Sequence, residues 1–287
     1  MTATSAAAPG GCSYTFPMSP ESEVIAGTAA PVTRTSILAD LRALGVAPGD
    51  TLIVHSSLSA LGWVVGGAQA VVEALLGATT AAGTVVVPTQ STGSSDPAGW
   101  SNPPVPADWF EEIRREMPIY DPDLTPTGGM GRIAECLRGH RSALRSDHPL
   151  VSFAAVGAAA AAITADHPLT PSLGESSPLG RLYERHAKVL LLGVTHASNT
   201  SLHLAEYRAD WPAKRMERHG VPRIIDGERV WHEFEDLVLD EQDFDQIGDG
   251  FAETGGETQG SVGQATARLC SQRDLVDFAT VWMGRNR

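Results

Sequence analysis

A histidine follows directly on a short apolar run near the middle of the chain. Residues 189–194 read as a buried strand, because the run is too short for a helix of ordinary length. His196 comes next, and the residue types at 199–201 (Asn, Thr, Ser) are those that begin helices. Ligands of α/β sheets bind at the carboxyl ends of strands, close to helix N-termini. The pattern therefore predicts that His196 lies on the rim of a binding site.

A neutral imidazole at that rim could act as a general base near neutral pH. Glu206, on the helix predicted after Ser201, is the first choice for the carboxylate that fixes the tautomer of His196. His203 lies on the same predicted helix, seven positions after His196. This helical spacing is compatible either with a side chain packed in the interior or with one that touches the site. The alternative for His196 is an ordinary hydrogen-bonded loop residue.

The first half of the chain alternates between strand and helix signals. A helix is predicted at 35–44, a strand at 51–58, a helix at 68–76 and a buried strand at 84–89. This alternation is typical of a βαβ unit and of a parallel or mixed sheet covered by helices.

Later segments extend this sheet and interrupt it. Residues 90–127 form a long Pro- and Gly-rich connection, with a short helix predicted near 108–117. Asp226-Gly227 between two β-capable runs predicts a hairpin. Ser261 with Gln264, and Ser271 with Asp274, resemble helix starts, so one or two structural helices are expected at the C-terminus. The predicted fold is a mixed, largely parallel central sheet flanked by helices (α/β/α), with a long substrate loop and an added hairpin.

Six segments resemble the aminoglycoside N(3)-acetyltransferases, which are not of the GCN5 type. They are GVTHASNTSLHLAEYR, LIVHSSLSALGWVVGG, VVVPTQSTGSSDPAGW, YDPDLTPTGGMGRIAE, RSDHPLVSFAAVG and ESSPLGRLYE. Together they cover most of residues 33–211, in the order expected for the family. The resemblance implies an antibiotic-resistance enzyme that transfers an acetyl group from acetyl-CoA to the 3-amino group of an aminoglycoside. Direct transfer in a ternary complex, with His196 as base, is the mechanism expected.

The same resemblance suggests where the coenzyme binds. A His-Ser-Ser sequence at the end of the 51–58 strand offers hydroxyl and backbone donors to the thioester and pantetheine. Two Gly-containing turns precede helices, whose N–H groups could bind the coenzyme phosphates. Taken alone, such glycines are typical of tight turns. The predicted coenzyme residues are His55, Ser56, Ser57, Gly66, Gly67, Thr127, Gly128, Gly129 and Met130.

A polycationic amino sugar calls for carboxylates around its groove, because charge-assisted hydrogen bonds to ammonium groups are strong. Asp96, in the long loop, is one candidate. Glu235 and Asp236 are two more, and either could instead supply the carboxylate that orients His196.

Bulk composition excludes some function classes. The 287-residue chain carries 21 basic and 34 acidic residues, a net charge of −13, which argues against nucleic-acid binding. Residues 1–33 contain no Lys or Arg and are predicted to form a flexible tail, whereas residues 34–287 are predicted to form a single catalytic domain. No secretory signal or membrane span is expected, and the three cysteines, which show no paired spacing, fit a reducing cytoplasm. A monomer or homodimer is expected.

Three rival functions remain open at this point. A zinc-dependent hydrolase could use His196, His203 and Glu206 as ligands, although no HExxH pattern occurs and no metal is expected. A non-catalytic antibiotic-binding protein would need the acidic groove alone. An acetyltransferase of the same fold could act on a different amine metabolite.

Overall fold

A computed structural model describes residues 20–287 of the chain. Ten helices and nine strands are named within that range. The helices are α1 (Pro20–Ala26), α2 (Arg34–Leu44), α3 (Gly67–Thr79), α4 (Phe110–Glu116), α5 (Gly131–Arg138), α6 (Ala160–Thr164), α7 (Pro178–Glu184), α8 (Leu202–Arg208), α9 (Phe244–Glu253) and α10 (Gln272–Asn286). The strands are β1 (Thr51–Ser56), β2 (Thr84–Pro88), β3 (Leu144–Arg145), β4 (Phe153–Gly157), β5 (Lys188–Leu192), β6 (Met216–Ile225), β7 (Glu228–Leu237), β8 (Glu257–Val262) and β9 (Ala265–Ser271).

Seven strands form one mixed sheet in the order β3-β4-β2-β1-β5-β9-β8. The central strands β2, β1 and β5 are parallel, and the outer strands join them antiparallel. Both faces of the central strands are covered, which explains why they read as almost continuous apolar runs. The predicted mixed sheet flanked by helices is confirmed.

Two apolar cores lie on opposite faces of this sheet. One contains Ile37 of α2, Leu75 of α3 and Ile133 of α5. The other contains buried side chains of α6 to α10, among them Leu204 of α8 and Leu275 of α10. The layers are therefore α/β/α, with α8 packed on the face that also holds α9 and α10.

The predicted hairpin is present as β6 and β7, which pair antiparallel from Met216–Leu237 to Ile225–Glu228. Asp226 and Gly227 form its two-residue turn, with φ angles of 53° and 84°. Positive φ at both positions is the requirement of the tight turn that an Asp-Gly sequence favours.

The long connection between β2 and β3 is ordered by one arginine. The Arg145 guanidinium donates to the carbonyl oxygens of Thr89 (2.8 Å) and Thr125 (2.5 Å) and to the Ser91 hydroxyl (2.8 Å). Both ends of the loop are thus tied to the end of the sheet. The short helix predicted in this loop is α4.

At the N-terminal side, part of the predicted tail is structured. Residues 20–26 form α1, and Val32 is buried and bridges to Val64. Residues 1–19 lie outside the described residues, and the flexibility of the N-terminal tail stays a prediction. That residues 34–287 form a single catalytic domain stays a prediction.

Of the two helix starts predicted near the C-terminus, the structure has the one at Ser271 and not the one at Ser261. Ser271 caps α10 by accepting a hydrogen bond from the backbone N–H of Asp274, as its sequence indicated. Ser261 and Gln264 instead belong to a β-hairpin, because Gly263, with φ of 55°, turns β8 back into β9. Among residues 20–287, no helix is long and apolar enough to cross a membrane.

Candidate active site

A cleft of about 1100 Å³ opens at the carboxyl ends of the three central strands. The ends of β1 and β2 form its floor, and the loop after β5 forms one wall. The N-terminal ends of α3 and α5 form another wall, and residues of α1, α8 and α9 close the sides. This is the position at which open α/β sheets bind ligands.

Seven of the nine predicted coenzyme residues line the cleft: His55, Ser56, Ser57, Gly66, Gly67, Gly129 and Met130. Two do not. The Thr127 hydroxyl donates to Glu135 Oε2 (2.7 Å), and the Gly128 N–H donates to the carbonyl oxygen of Gln90 (2.7 Å). Their polar groups hold the turn before α5, so the prediction that they bind coenzyme is not supported by their positions.

The N-termini of α3 and α5 have no side-chain cap. The first backbone N–H groups of a helix lack intrahelical partners, so both ends favour an anion. Arg132, in the first turn of α5, lines the cleft, is exposed and makes no ion pair with another described residue. Sequence reasoning missed Arg132. Its signal was a cation directly after the Gly-rich entry to a helix.

His203 and Glu206 form a buried pair at the cleft. Their atoms His203 Nδ1 and Glu206 Oε2 lie 2.5 Å apart, one turn apart on α8. Because a carboxylate only accepts hydrogen bonds, Nδ1 is the donor of this pair, and in the neutral imidazole the lone pair then lies on Nε2. No described residue bonds to Nε2, and the ring lines the cleft while packing 5.0 Å from the Phe244 ring. The arrangement is that of a general base held in one tautomer by a carboxylate.

The second carboxylate oxygen of Glu206 is also held. Oε1 accepts hydrogen bonds from the Asp240 N–H (2.9 Å) and from Arg287 Nη1 (2.6 Å). Burial lowers the pKa of Arg287, but hydrogen bonds to Asp243 and Glu206 outweigh it, so this pKa lies above its ordinary value. The Glu206 side chain is fully buried among these donors.

His196 does not line the cleft. It is buried, its Nε2 lies 2.8 Å from Glu257 Oε2, and its Nδ1 accepts from the Asn199 amide at 3.2 Å. Both ring nitrogens are therefore engaged, and neither has a lone pair facing a ligand. The expectation that Glu206 partners His196 was wrong, because Glu206 bonds to His203. The geometry moves the candidate base from His196 to His203.

His55 projects from the end of β1 into the cleft wall. Its Nε2 is buried and has no hydrogen-bond partner among the described residues. Burial, with smaller contributions from the nearby His203 and His196, lowers the pKa of His55 to about 3. His55 is therefore a neutral imidazole at physiological pH, with a polar atom left for a ligand.

None of the three predicted substrate carboxylates lines the cleft. Asp96 caps a 3₁₀ turn and pairs with Arg114, at 2.9 Å from Nη2. Asp236 is buried and accepts from the Tyr207 hydroxyl (2.7 Å) and the Ser172 N–H (3.0 Å). Glu235 is exposed on β7, opposite Arg218. All three have structural partners or face solvent away from the cleft.

Two other carboxylates line the cleft instead, Glu21 of α1 and Glu241 before α9. Both are exposed, and neither stands in a motif that distinguishes it from other surface acids. Within residues 20–287, no group of three or more His, Cys, Asp or Glu side chains could hold a metal ion.

The model of the aminoglycoside 3-N-acetyltransferase family matches residues 53–284. The chain therefore belongs to this family, and the resemblance predicted from the sequence is confirmed. Membership also confirms the predicted enzyme class, an acyltransferase, and with it the predicted acetyl donor, acetyl-CoA.

Individual relatives agree with this assignment. The chain is 46% identical to the SPbeta prophage-derived aminoglycoside N(3')-acetyltransferase-like protein YokD of Bacillus subtilis, covering 92% of this chain and 97% of YokD. It is 40% identical to aminoglycoside N(3)-acetyltransferase VII of Streptomyces paromomycinus, covering 90% of this chain and 94% of the relative.

Solved structures share the fold at similar coverage. The crystal structure of YokD has a TM-score of 0.89, at 46% identity and 92% and 97% coverage. AAC-IIIb in binary complex with CoASH has a TM-score of 0.79, at 34% identity, 89% and 97% coverage. AAC-VIa bound to sisomicin has a TM-score of 0.81, at 30% identity, 90% and 99% coverage.

Proposed function

We propose that this chain transfers the acetyl group of acetyl-CoA to the 3-amino group of an aminoglycoside, in a ternary complex, with His203 as general base. Such a reaction confers resistance to the antibiotic. The observation that carries the proposal is the His203–Glu206 pair, because Glu206 occupies Nδ1, no described residue bonds to Nε2, and His203 lines the cleft.

The reaction needs one proton to move. The free amine nitrogen attacks the thioester carbonyl carbon, a C–N bond forms, and the C–S bond breaks as the sulfur leaves as a thiolate. His203 Nε2 takes the proton from the attacking nitrogen and returns it to the sulfur, so that the products are the amide and CoASH. A positioned base contributes about 10²–10⁴ in rate.

The coenzyme end of the cleft carries fixed donors and a cation. The uncapped N-termini of α3 and α5, with Arg132, suit the coenzyme phosphates. His55, Ser56 and Ser57 line the same cleft as those helix ends and His203, and their side chains and backbone would contact the pantetheine and thioester. The CoASH complex of the relative AAC-IIIb supports this use of the fold.

The cleft also carries negative charge. Glu21 and Glu241 are exposed at the cleft, and the whole chain carries a net charge of −13. Ammonium groups of an amino sugar would be drawn to such a surface. The relative AAC-VIa binds sisomicin, which supports an aminoglycoside as the acceptor.

Release of free thiol from acetyl-CoA, measured with a panel of aminoglycosides and with simple amine metabolites, tests this function. We expect thiol release that depends on an aminoglycoside carrying a 3-amino group, and an acetamide at that nitrogen by NMR. Thiol release without an acceptor would indicate a hydrolase, and acetylation of metabolites alone would indicate a different substrate class. Binding of the antibiotic without any thiol release would indicate a sequestering protein.

A further inference from the structure

The carboxylate that orients His203 is held by a side chain far from it in sequence. Glu206 is fully buried on α8, and a buried carboxylate is stable only when it is paired and hydrogen-bonded. Apart from His203, the only cation bonded to it among the described residues is Arg287, at 2.6 Å.

Arg287 is itself fixed in place. Its Nε and Nη2 bind the two oxygens of Asp243 at 2.7 and 2.5 Å. Its Nη2 also donates to the carbonyl oxygen of Asp240 (2.6 Å), and the guanidinium lies 5.1 Å from the centre of the Trp211 ring. The side chain is 9% exposed, so it is not an ordinary surface arginine.

We propose that Arg287 is a positioning residue of the acetyl-transfer site, acting on His203 through Glu206. The guanidinium holds Glu206 Oε1, so that Oε2 stays directed at His203 Nδ1 and Nε2 stays available to a substrate. This inference rests on the proposed function. It adds a third member, from the residue after α10, to a pair carried by α8.

Removal of Arg287 would change the charge balance around Glu206. Without Arg287, Glu206 would keep one backbone donor on Oε1 and would be a buried anion with no cation except a protonated His203. Protonated His203 cannot accept a proton, so the pair would lose its function as a base while the cleft kept its shape.

The test uses Arg287→Ala, Glu206→Gln and the double variant, with Arg285→Ala as the matched control. Arg285 is an exposed arginine near the end of α10, two positions before Arg287. We expect R287A to lower kcat about tenfold or more, because interaction free energies between contacting residues are of this size. The KM for acetyl-CoA should stay within about twofold of the parent value. In the E206Q background the same change should lower kcat no further. Millimolar guanidinium chloride should restore part of the kcat of R287A and none of that of E206Q.

Three results would overturn the inference. They are an unchanged kcat in R287A, an equal loss of kcat in the parent and E206Q backgrounds, and no recovery with guanidinium. If R287A does not fold, Asp243→Asn keeps the guanidinium but removes one of its anchors. D243N should then lower kcat in the parent and not in E206Q, and an equal effect in both backgrounds would likewise overturn the inference.

The two proposals fail differently. Full kcat in E206Q and in a His203 variant would remove the proposed base itself. Loss of kcat in those variants with a normal R287A would remove only the role of Arg287.

Discussion

His196 Nε2 lies 2.8 Å from Glu257 Oε2, and the two residues are 61 positions apart. Glu257 begins β8 and also bonds to Arg268 of β9 through its other oxygen (3.2 Å). On the other side of the ring, His196 Nδ1 accepts a hydrogen bond from the side-chain amide of Asn199. The side-chain oxygen of Asn199 accepts a hydrogen bond from the backbone N–H of Ser201, just before α8. His196 therefore anchors the turn that leads into the helix carrying His203.

Space around His196 gives a first prediction. A methyl group added at Gly248 would lie 2.2 Å from His196 Cδ2, within a closely packed interior. Gly248→Ala should therefore lower the free energy of unfolding by about 1–3 kcal/mol, as overpacking does. Urea denaturation measures this change.

Gly250→Ala is the matched control for that change. It makes the same substitution on the same helix, but its methyl group would lie no closer than 3.3 Å to the Phe278 ring. The gain of about 1 kcal/mol in helix propensity should offset any crowding there. Equal unfolding midpoints for the two variants would show that His196 does not fill the space against α9.

The charge at the entry to α5 gives a second prediction. Arg132→Ala should raise KM for acetyl-CoA about three- to tenfold and leave kcat nearly unchanged, because an exposed charge pair contributes about 1 kcal/mol. The effect should shrink between 0.05 and about 0.5 M salt, since salt screens exposed charges. Arg141→Ala, an exposed arginine outside the cleft, should leave KM as it was.

Acid sensitivity gives a third prediction. The pKa of His55 in the folded protein is about 3, lowered first by burial, against 6.5 for a free histidine. Between pH 3 and pH 6.5, His55 binds a proton in the unfolded chain but not in the folded chain. Its contribution to the free energy of unfolding is therefore lost progressively as the pH falls below 6.5. The slope is about 1.4 kcal/mol per pH unit for each such group.

Between pH 6.5 and 4.5, the free energy of unfolding of the His55→Asn variant should therefore fall less steeply than that of the parent protein, by about 1.4 kcal/mol per pH unit. His186→Asn is the control, because His186 is exposed and asparagine tolerates its φ of 52°. Chemical unfolding at several pH values provides the comparison. An identical slope in H55N and the parent protein would contradict a neutral, buried His55.

Much of the architecture could be predicted because it depends on local patterns. The apolar runs that became β1, β2 and β5 fix the three parallel strands, and Asp226-Gly227 fixes the hairpin turn. The Gly-rich entries to α3 and α5 are likewise local. Ser261 was misread because a serine before a Gly-containing turn resembles both a helix start and a hairpin.

The choice between two histidines could not be made from spacing. His196 and His203 lie seven positions apart, and each has a carboxylate partner. The partner of His196 is Glu257, at the start of β8, an edge strand that the sequence analysis did not predict. Only the tertiary structure shows that His196 has both nitrogens occupied while His203 keeps one free.

The absence of the three predicted substrate carboxylates from the cleft lining has a related reason. Asp96 stands in one of the segments that resemble the family, but both Asp96 and Asp236 are bonded to structural partners, Arg114 and Tyr207 among them. Exposed acids such as Glu241 carry no pattern that separates a cleft residue from any other surface group.

The most direct test of the account compares His203→Gln with His196→Gln in one steady-state acetylation assay, at saturating acetyl-CoA and an accepted aminoglycoside. The account predicts that H203Q lowers kcat by at least about a hundredfold with coenzyme affinity retained, because it removes the base. It predicts that H196Q mainly lowers the free energy of unfolding, by about 1–3 kcal/mol for a disturbed buried bond to Glu257, with a smaller loss of kcat. A normal kcat in H203Q beside a hundredfold loss in a stably folded H196Q would contradict it.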